Sequence, residues 1–220
     1  GSIRFPSSAC GLVGIKPTYG RVSRFGVLDL AQTLDHVGPM TRDVRDAALI
    51  LAVISGFDEN DLTTVPTIAP TFNDIENANL DGVTIGYSEN YSEDGVDGEI
   101  IKATRNVLEI LQYHGATIKN IELDDIDSFL PAWKTLCTAE ALNAHSSFFP
   151  ERASEYGLWF KGWLEHGLSV TSQEYIDASR QRALCNGKLR KSFVGIDAMV
   201  SPTVIRPPHY VDDSISYGPM

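Results

Sequence analysis

The 220-residue chain predicts an α/β fold, and three observations carry that expectation. Val83-Thr84-Ile85-Gly86-Tyr87 is a short apolar run of strand type, and Thr117 to Leu123 alternates with the period of a second strand. Between them, residues 97–113 place Ile100, Ala103, Val107, Leu108 and Leu111 at helical spacing, stopped at Gly115. A strand, a helix and a strand within about forty residues favour parallel pairing through a right-handed crossover.

The other elements follow in chain order. Residues 1–40, punctuated by Gly and Pro, read as loops and short extended pieces. Thr41 is placed to cap a helix whose buried stripe is Val44, Ala47, Ala48 and Leu51, ended by Gly56. Residues 57–80 read as an acidic, Pro-containing surface connection, and residues 128–165 as mostly helical and rich in aromatics. Thr171-x-x-Glu174 is a capping box, opening a helix to about Phe193 with Ile176, Arg180, Ala183 and Leu184 on one side. Asp197 to Val200 reads as a last buried strand, broken by Pro202. Three prolines and no periodicity follow from Arg206 to Met220, so residues 204–220 are expected to be loosely packed.

Composition narrows the function. At 43% hydrophobic and 21% charged, the chain is expected to fold rather than stay disordered. A net charge of −11 disfavours a nucleic-acid-binding surface, which needs clustered Lys and Arg. Cys10, Cys137 and Cys185 are too scattered for a disulfide framework or a metal site, and no two of the five histidines have ligand spacing. No metal or cofactor is therefore expected. No run reaches the roughly 18 apolar residues of a membrane span, and no signal peptide opens the chain, so a reducing, cytoplasmic setting is expected.

The candidate chemistry sits at the start. Ser2, beside Gly1, can expose its Oγ at a sharp turn while neighbouring backbone N–H groups point at a developing oxyanion. A Gly-Ser pair is equally an ordinary turn, and the dipeptide leaves both readings open. Arg4 carries a fixed planar charge suited to a carboxylate. Cys10 has no base at a suggestive spacing and reads as a small buried hydrophobe.

The longer run Gly1-Ser2-Ile3-Arg4, followed by Cys10-Gly11-Leu12-Val13-Gly14-Ile15-Lys16-Pro17-Thr18-Tyr19-Gly20-Arg21, resembles the second half of the amidase-signature motif. Thr33-Leu34-Asp35-His36-Val37-Gly38-Pro39-Met40-Thr41-Arg42 resembles a second block of that family. The resemblance implies a mixed, twisted β-sheet core covered by helices, with residues 1–220 a partial domain incomplete at both ends. It implies Ser2 as the acylated nucleophile, Gly1 as an oxyanion-hole backbone donor, and Arg4 as a brace for the nucleophile turn against an upstream aspartate. The family's lysine base and cis-peptide serine lie upstream of the nucleophile and have no counterpart in these residues. Lys16 is then structural, and His36 braces its loop.

The implied activity is hydrolysis of a carboxylic amide C–N bond through a serine acyl-enzyme, with a small-molecule amide as substrate and no cofactor. Phe148, Phe149, Trp159, Phe160 and Trp163 fall where the family varies its substrate-contacting helices, and pocket lining and ordinary core both stay open for them. One alternative is the glutaminase component of a tRNA-dependent amidotransferase. Its arginine pair has no counterpart in Lys161-Gly162-Trp163-Leu164-Glu165-His166-Gly167, which favours a neutral or aromatic amide. A further alternative is a non-catalytic relative acting as a binding protein. As an isolated polypeptide the 220 residues are expected to be inactive and poorly soluble.

Overall fold

The computed structural model describes residues 2–66, 79–123 and 125–208. They divide into two compact units, one of residues 2–23, 37–66, 79–122 and 193–208, the other of residues 24–36, 123 and 125–192. The tail from residue 209 lies outside the described residues, as do residues 67–78 of the expected acidic connection.

The first unit holds two small sheets. α1 (Arg4–Ala9) leads into β1 (Val13–Gly14), which pairs antiparallel with β2 (Met40–Thr41) in the register Val13↔Thr41 and Gly14↔Met40. α2 (Val44–Ile54) packs on this pair. The second sheet has β3 (Thr84–Tyr87) at its centre, parallel to both β4 (Thr117–Asn120) and β5 (Ala198–Val200). Between β3 and β4 run α3 (Glu89–Glu93) and α4 (Gly98–Tyr113), so the expected strand–helix–strand unit is present with parallel pairing. Ile85, Tyr87, Leu108 and Ala116 form its core, with Val83, Leu111, Ile118 and Val200 packed around them. Gly86 allows this closeness, because a Cβ there would lie 2.5 Å from Ile196 Cδ1 and 3.0 Å from Ile121 Cδ1.

Polar bonds fasten α3 to α4 beyond the end of β3. Arg105 grips Glu93 with both Nε (2.8 Å) and Nη2 (2.7 Å), and the Tyr87 hydroxyl donates to the same carboxylate at 2.8 Å. Burial, reinforced by Glu93, pushes the Tyr87 phenol up to about 12.

The second unit is helical. α5 (Leu130–Ala144), α6 (Leu158–Ser169) and α7 (Ser172–Ser192) pack with α5 against both others. Ala141, Phe149 and Leu164 form the core, and Leu136 and Leu164 are almost wholly buried, each worth about 1.5–3 kcal/mol of apolar burial. The capping box is made as expected. Glu174 Oε2 accepts from the Thr171 N–H at 2.7 Å, and Thr171 Oγ1 accepts from the Glu174 N–H at 3.2 Å.

The expected mixed α/β class holds, with the strands of the described residues in two small sheets, one antiparallel and one parallel. Several finer expectations need correction. Residues 4–9, read as loop, form α1, in which Pro6 sits in the first turn where its missing N–H is not needed. Thr41 is paired in β2, so the cap of α2 moves to Asp43, whose carboxylate accepts from the Asp46 N–H at 3.0 Å. Val44 is then exposed, and the buried stripe is Ala47, Ala48 and Leu51. On α4 the inward residues are Thr104 and Leu108, while Ala103 and Val107 are exposed. Thr104 can face inward because its hydroxyl donates to the Ile100 carbonyl at 2.9 Å. α7 is turned further. Ile176, Arg180, Ala183 and Leu184 are exposed, and the packed side carries Tyr175, Ala178, Arg182 and Cys185. Hydrogen bonding of Tyr175 and Arg182 fixes that rotation. β5 is half-buried rather than buried, because it is an edge strand.

Candidate active site

Ser2 is exposed in the turn that enters α1. The partner expected to share its oxyanion role, Gly1, lies outside the described residues. What supports the turn is built from both sequence blocks. The Ser7 hydroxyl, buried in α1, donates to the Ile3 carbonyl at 2.7 Å, and the Leu12 N–H donates back to the Ser7 carbonyl at 2.8 Å. Gly14 lies against Ser7 so closely that a Cβ would overlap its Oγ. Gly38 does the same beneath Ile3: a Cβ would overlap the Ile15 carbonyl oxygen and lie 3.0 Å from Ile3 Cδ1 and from Pro17 Cδ. The Ile15 N–H donates to the Pro39 carbonyl at 3.1 Å, tying the second block to the first. Ser2 is thus carried on a short helix seated on a two-strand platform.

Arg4 is exposed and has no carboxylate partner among the described residues. Its charge faces Lys16, whose ammonium is held below its ordinary range by partial burial and then by Arg4. Lys16 Nζ donates to the Pro17 carbonyl at 2.6 Å, a bracing contact. Cys10, expected to be buried, is instead exposed, because it caps the C-terminal end of α1. An open groove of about 460 Å³ lies beside the platform, lined by Leu12, Met40, Thr41, Arg42, Asp46, Leu49 and Ile50.

In the second unit the five aromatic candidates separate into three environments. Phe149 belongs to the helical core. Phe148 is exposed beneath the Arg152 guanidinium, 5.5 Å from the ring centroid. Trp159, Phe160 and Trp163 share one side of α6, with Trp159 stacked on Trp163 (centroids 5.4 Å apart, planes at 19°) and on Phe160 (6.5 Å). Sequence reading missed Trp133 of α5, which packs on Trp163 with centroids 5.8 Å apart and extends the array. Its signal was the helical register of α5, which places Trp133 four residues before buried Cys137 and eight before Ala141.

Sequence reading also missed Glu140. Its carboxylate is buried and accepts from the Thr33 N–H (2.8 Å), the Thr33 hydroxyl (2.7 Å) and the Tyr175 hydroxyl (2.9 Å). Arg182 Nη1 donates to Thr33 Oγ1 at 2.7 Å. Burial and Glu140 push the Tyr175 phenol up, and burial pushes the Cys137 thiol up to about 12. A cavity of about 280 Å³ beside Glu140 is lined by Asp29, Gln32, Thr33, Asn143 and Tyr175 among others, and by none of the five aromatics. His36 Nδ1 lies 2.6 Å from the Leu34 carbonyl, a loop contact. No group of three or more metal-ligating side chains occurs among the described residues, and no described helix is long and apolar enough to cross a membrane.

Comparison with known proteins settles the family of this mixed α/β chain. The family model described as Amidase matches residues 1–218, and the chain belongs to that family. It is 36% identical to the A subunit of a glutamyl-tRNA(Gln) amidotransferase of Clostridium botulinum, strain Okra, over 92% of this chain and 47% of that protein. Among solved structures it superposes on an amidase with a TM-score of 0.78 at 29% identity, covering 94% of this chain and 44% of the other. It also matches the A subunit of glutamyl-tRNA(Gln) amidotransferase from Thermotoga maritima, with a TM-score of 0.75 at 30% identity, over 90% and 44% of the two chains. The chain spans about half the length of the curated relatives it matches.

Proposed function

We propose that the protein hydrolyses the C–N bond of a carboxylic amide through an acyl-enzyme on Ser2. The observation that carries the reading is an exposed serine on a rigid two-block platform inside a segment that matches the Amidase family throughout. Ser2 Oγ attacks the carbonyl carbon, backbone N–H groups of the Gly1–Ser2 turn hold the oxyanion, and the amine leaves as the acyl-serine forms. Water then attacks the ester and frees the acid. By the family resemblance, a lysine acting through a cis-peptide serine takes the Ser2 proton, and both stand upstream of the nucleophile. By the same resemblance, Arg4 braces the turn against an upstream aspartate.

For substrate, a neutral or aromatic amide is the favoured class. No arginine stands in residues 161–167, the stretch compared with the glutaminase's arginine pair, and Lys161 of α6 pairs with Glu165 at 3.7 Å. The second reading, the glutaminase component of an amidotransferase assembly, draws on the names of the relatives at 34–36% identity. A serine-directed fluorophosphonate, followed by hydrolysis assays on aryl, aliphatic and glutamine amides, tests both. Labelling lost in Ser2→Ala supports the mechanism, and amide turnover by Ser2→Ala within about tenfold of the parent contradicts it.

A further inference from the structure

α2 is apolar on every side. After Asp46 it has no polar side chain through Ile54. Ala47, Ala48 and Leu51 are buried on the side that packs toward β1 and β2. The other side, Leu49, Ile50 and Val53, is uncovered among the described residues, with Leu49 64% and Val53 84% exposed. A surface helix keeps polar residues outside, as α4 of the same unit does with Lys102, Arg105, Asn106 and Glu109. A helix that is apolar all round belongs in the interior of a larger body. The open groove of about 460 Å³ continues the same surface, with Leu12, Met40, Leu49 and Ile50 as its apolar walls. All of these residues lie in the unit that carries Ser2.

The occupant of this face follows from length and chemistry. The chain spans only 47–49% of its curated relatives, so those proteins have as much polypeptide again to place. On the acyl-enzyme reading, Ser2 needs a base with no counterpart in these residues, carried upstream of the nucleophile. The segment that carries it has to dock on the body that holds Ser2, which is α1, β1, β2 and α2 packed together. That body presents two unmet surfaces. Arg4 on α1 is exposed with no carboxylate partner among the described residues, and the outer side of α2 is exposed without apolar cover. A second copy of the chain would cover the apolar side but would bring no base to Ser2.

Resting on the acyl-enzyme reading above, we propose that the outer side of α2 and its groove are the docking surface for the polypeptide that precedes Gly1 in the full-length protein, the segment that brings the proton acceptor to Ser2. Apolar side chains of that segment seat on Leu49, Ile50 and Val53 and fill the groove against Leu12 and Met40, and the area they remove from water holds the segment in place.

The test uses Met40, which already lines the groove. The full-length protein is made with photo-methionine, whose diazirine loses N2 on irradiation and inserts into a neighbouring C–H or O–H bond. Equal parts of light and 15N-labelled protein are mixed before irradiation, and the products are mapped by mass spectrometry. The expected product joins the Met40 peptide to a peptide preceding Gly1 in the same chain and is absent from Met40→Leu. Adducts of Met40 confined to water and residues 1–220, joined to polypeptide beyond Met220, or formed between light and heavy chains overturn the proposal. Leu49→Asp, which puts a charge on the docked side, is expected to slow fluorophosphonate labelling of Ser2 by about tenfold or more, with Leu49→Met within about twofold of the parent. Parent-rate labelling of Leu49→Asp also overturns it. If Leu49→Asp does not fold, the Met40 products decide. If the parent itself takes no label, the acyl-enzyme reading fails, and the Met40 products still decide the docking surface.

Discussion

Gly38→Ala probes the platform beneath Ser2. The added Cβ would overlap the Ile15 carbonyl oxygen and press on Ile3 Cδ1 and Pro17 Cδ at 3.0 Å each. The carbonyl and the proline ring are fixed, so relief requires the two sequence blocks to separate and the Ile15–Pro39 hydrogen bond of 3.1 Å to lengthen. Overpacking of this kind costs about 1–3 kcal/mol, which is roughly a 5- to 150-fold change in the folded ratio. Gly162→Ala is the matched comparison. Gly162 lies inside α6 with no heavy atom within 4 Å of the added Cβ, so the substitution should stabilise the helix by about 0.5–1 kcal/mol. Urea unfolding of both variants beside the parent measures the two effects. A midpoint for Gly38→Ala at or above that of the parent would refute the steric account of the platform, whatever Gly162→Ala does.

Four further outcomes follow. Thr171→Ala should cost about 1 kcal/mol in urea unfolding, because it removes one half of the α7 capping box. Bonds from Thr171 hold the Glu174 carboxyl below its ordinary range, so its contribution is present at neutral pH and is lost as pH falls through that depressed value; an acid titration of Glu174→Gln should lack this loss. Tyr87 titrates at about 12 through burial and then Glu93, so its stabilisation is full below the ordinary phenol range near 10 and is lost as pH rises toward 12; Tyr87→Phe should remove that alkaline step from the tyrosinate absorbance titration. Aryl or aliphatic amides should exceed glutamine in kcat/KM by at least about tenfold, and a glutamine preference in steady-state assays would reverse that ranking.

Patterns that depend on local spacing were legible in the sequence. The strand–helix–strand unit, the capping box and the helices of residues 128–165 all lie where periodicity places them. α1 escaped because six residues with a proline and two serines carry no periodic signal, and their helix is held by Ser7 and Leu12 rather than by propensity. The packed side of α7 was misread because its apolar residues face outward, where Ile176 and Leu184 are exposed, while Tyr175 and Arg182 turn inward to meet Glu140 and Thr33. Such polar packing is invisible to a rule that seeks apolar stripes. The blocks that build the platform were readable because both have a distinctive residue order, and the role of Ser2 on it rests on the family resemblance. Glu140 was not, because its partner Thr33 lies 107 residues away.

The central claim is that Ser2 is acylated, and intact-mass spectrometry after fluorophosphonate treatment of the full protein tests it most directly. The account predicts a single adduct that maps to the peptide carrying Ser2, absent from Ser2→Ala, with loss of amide hydrolysis in the labelled enzyme. An adduct on any other residue, or amide hydrolysis that persists in Ser2→Ala, would contradict it.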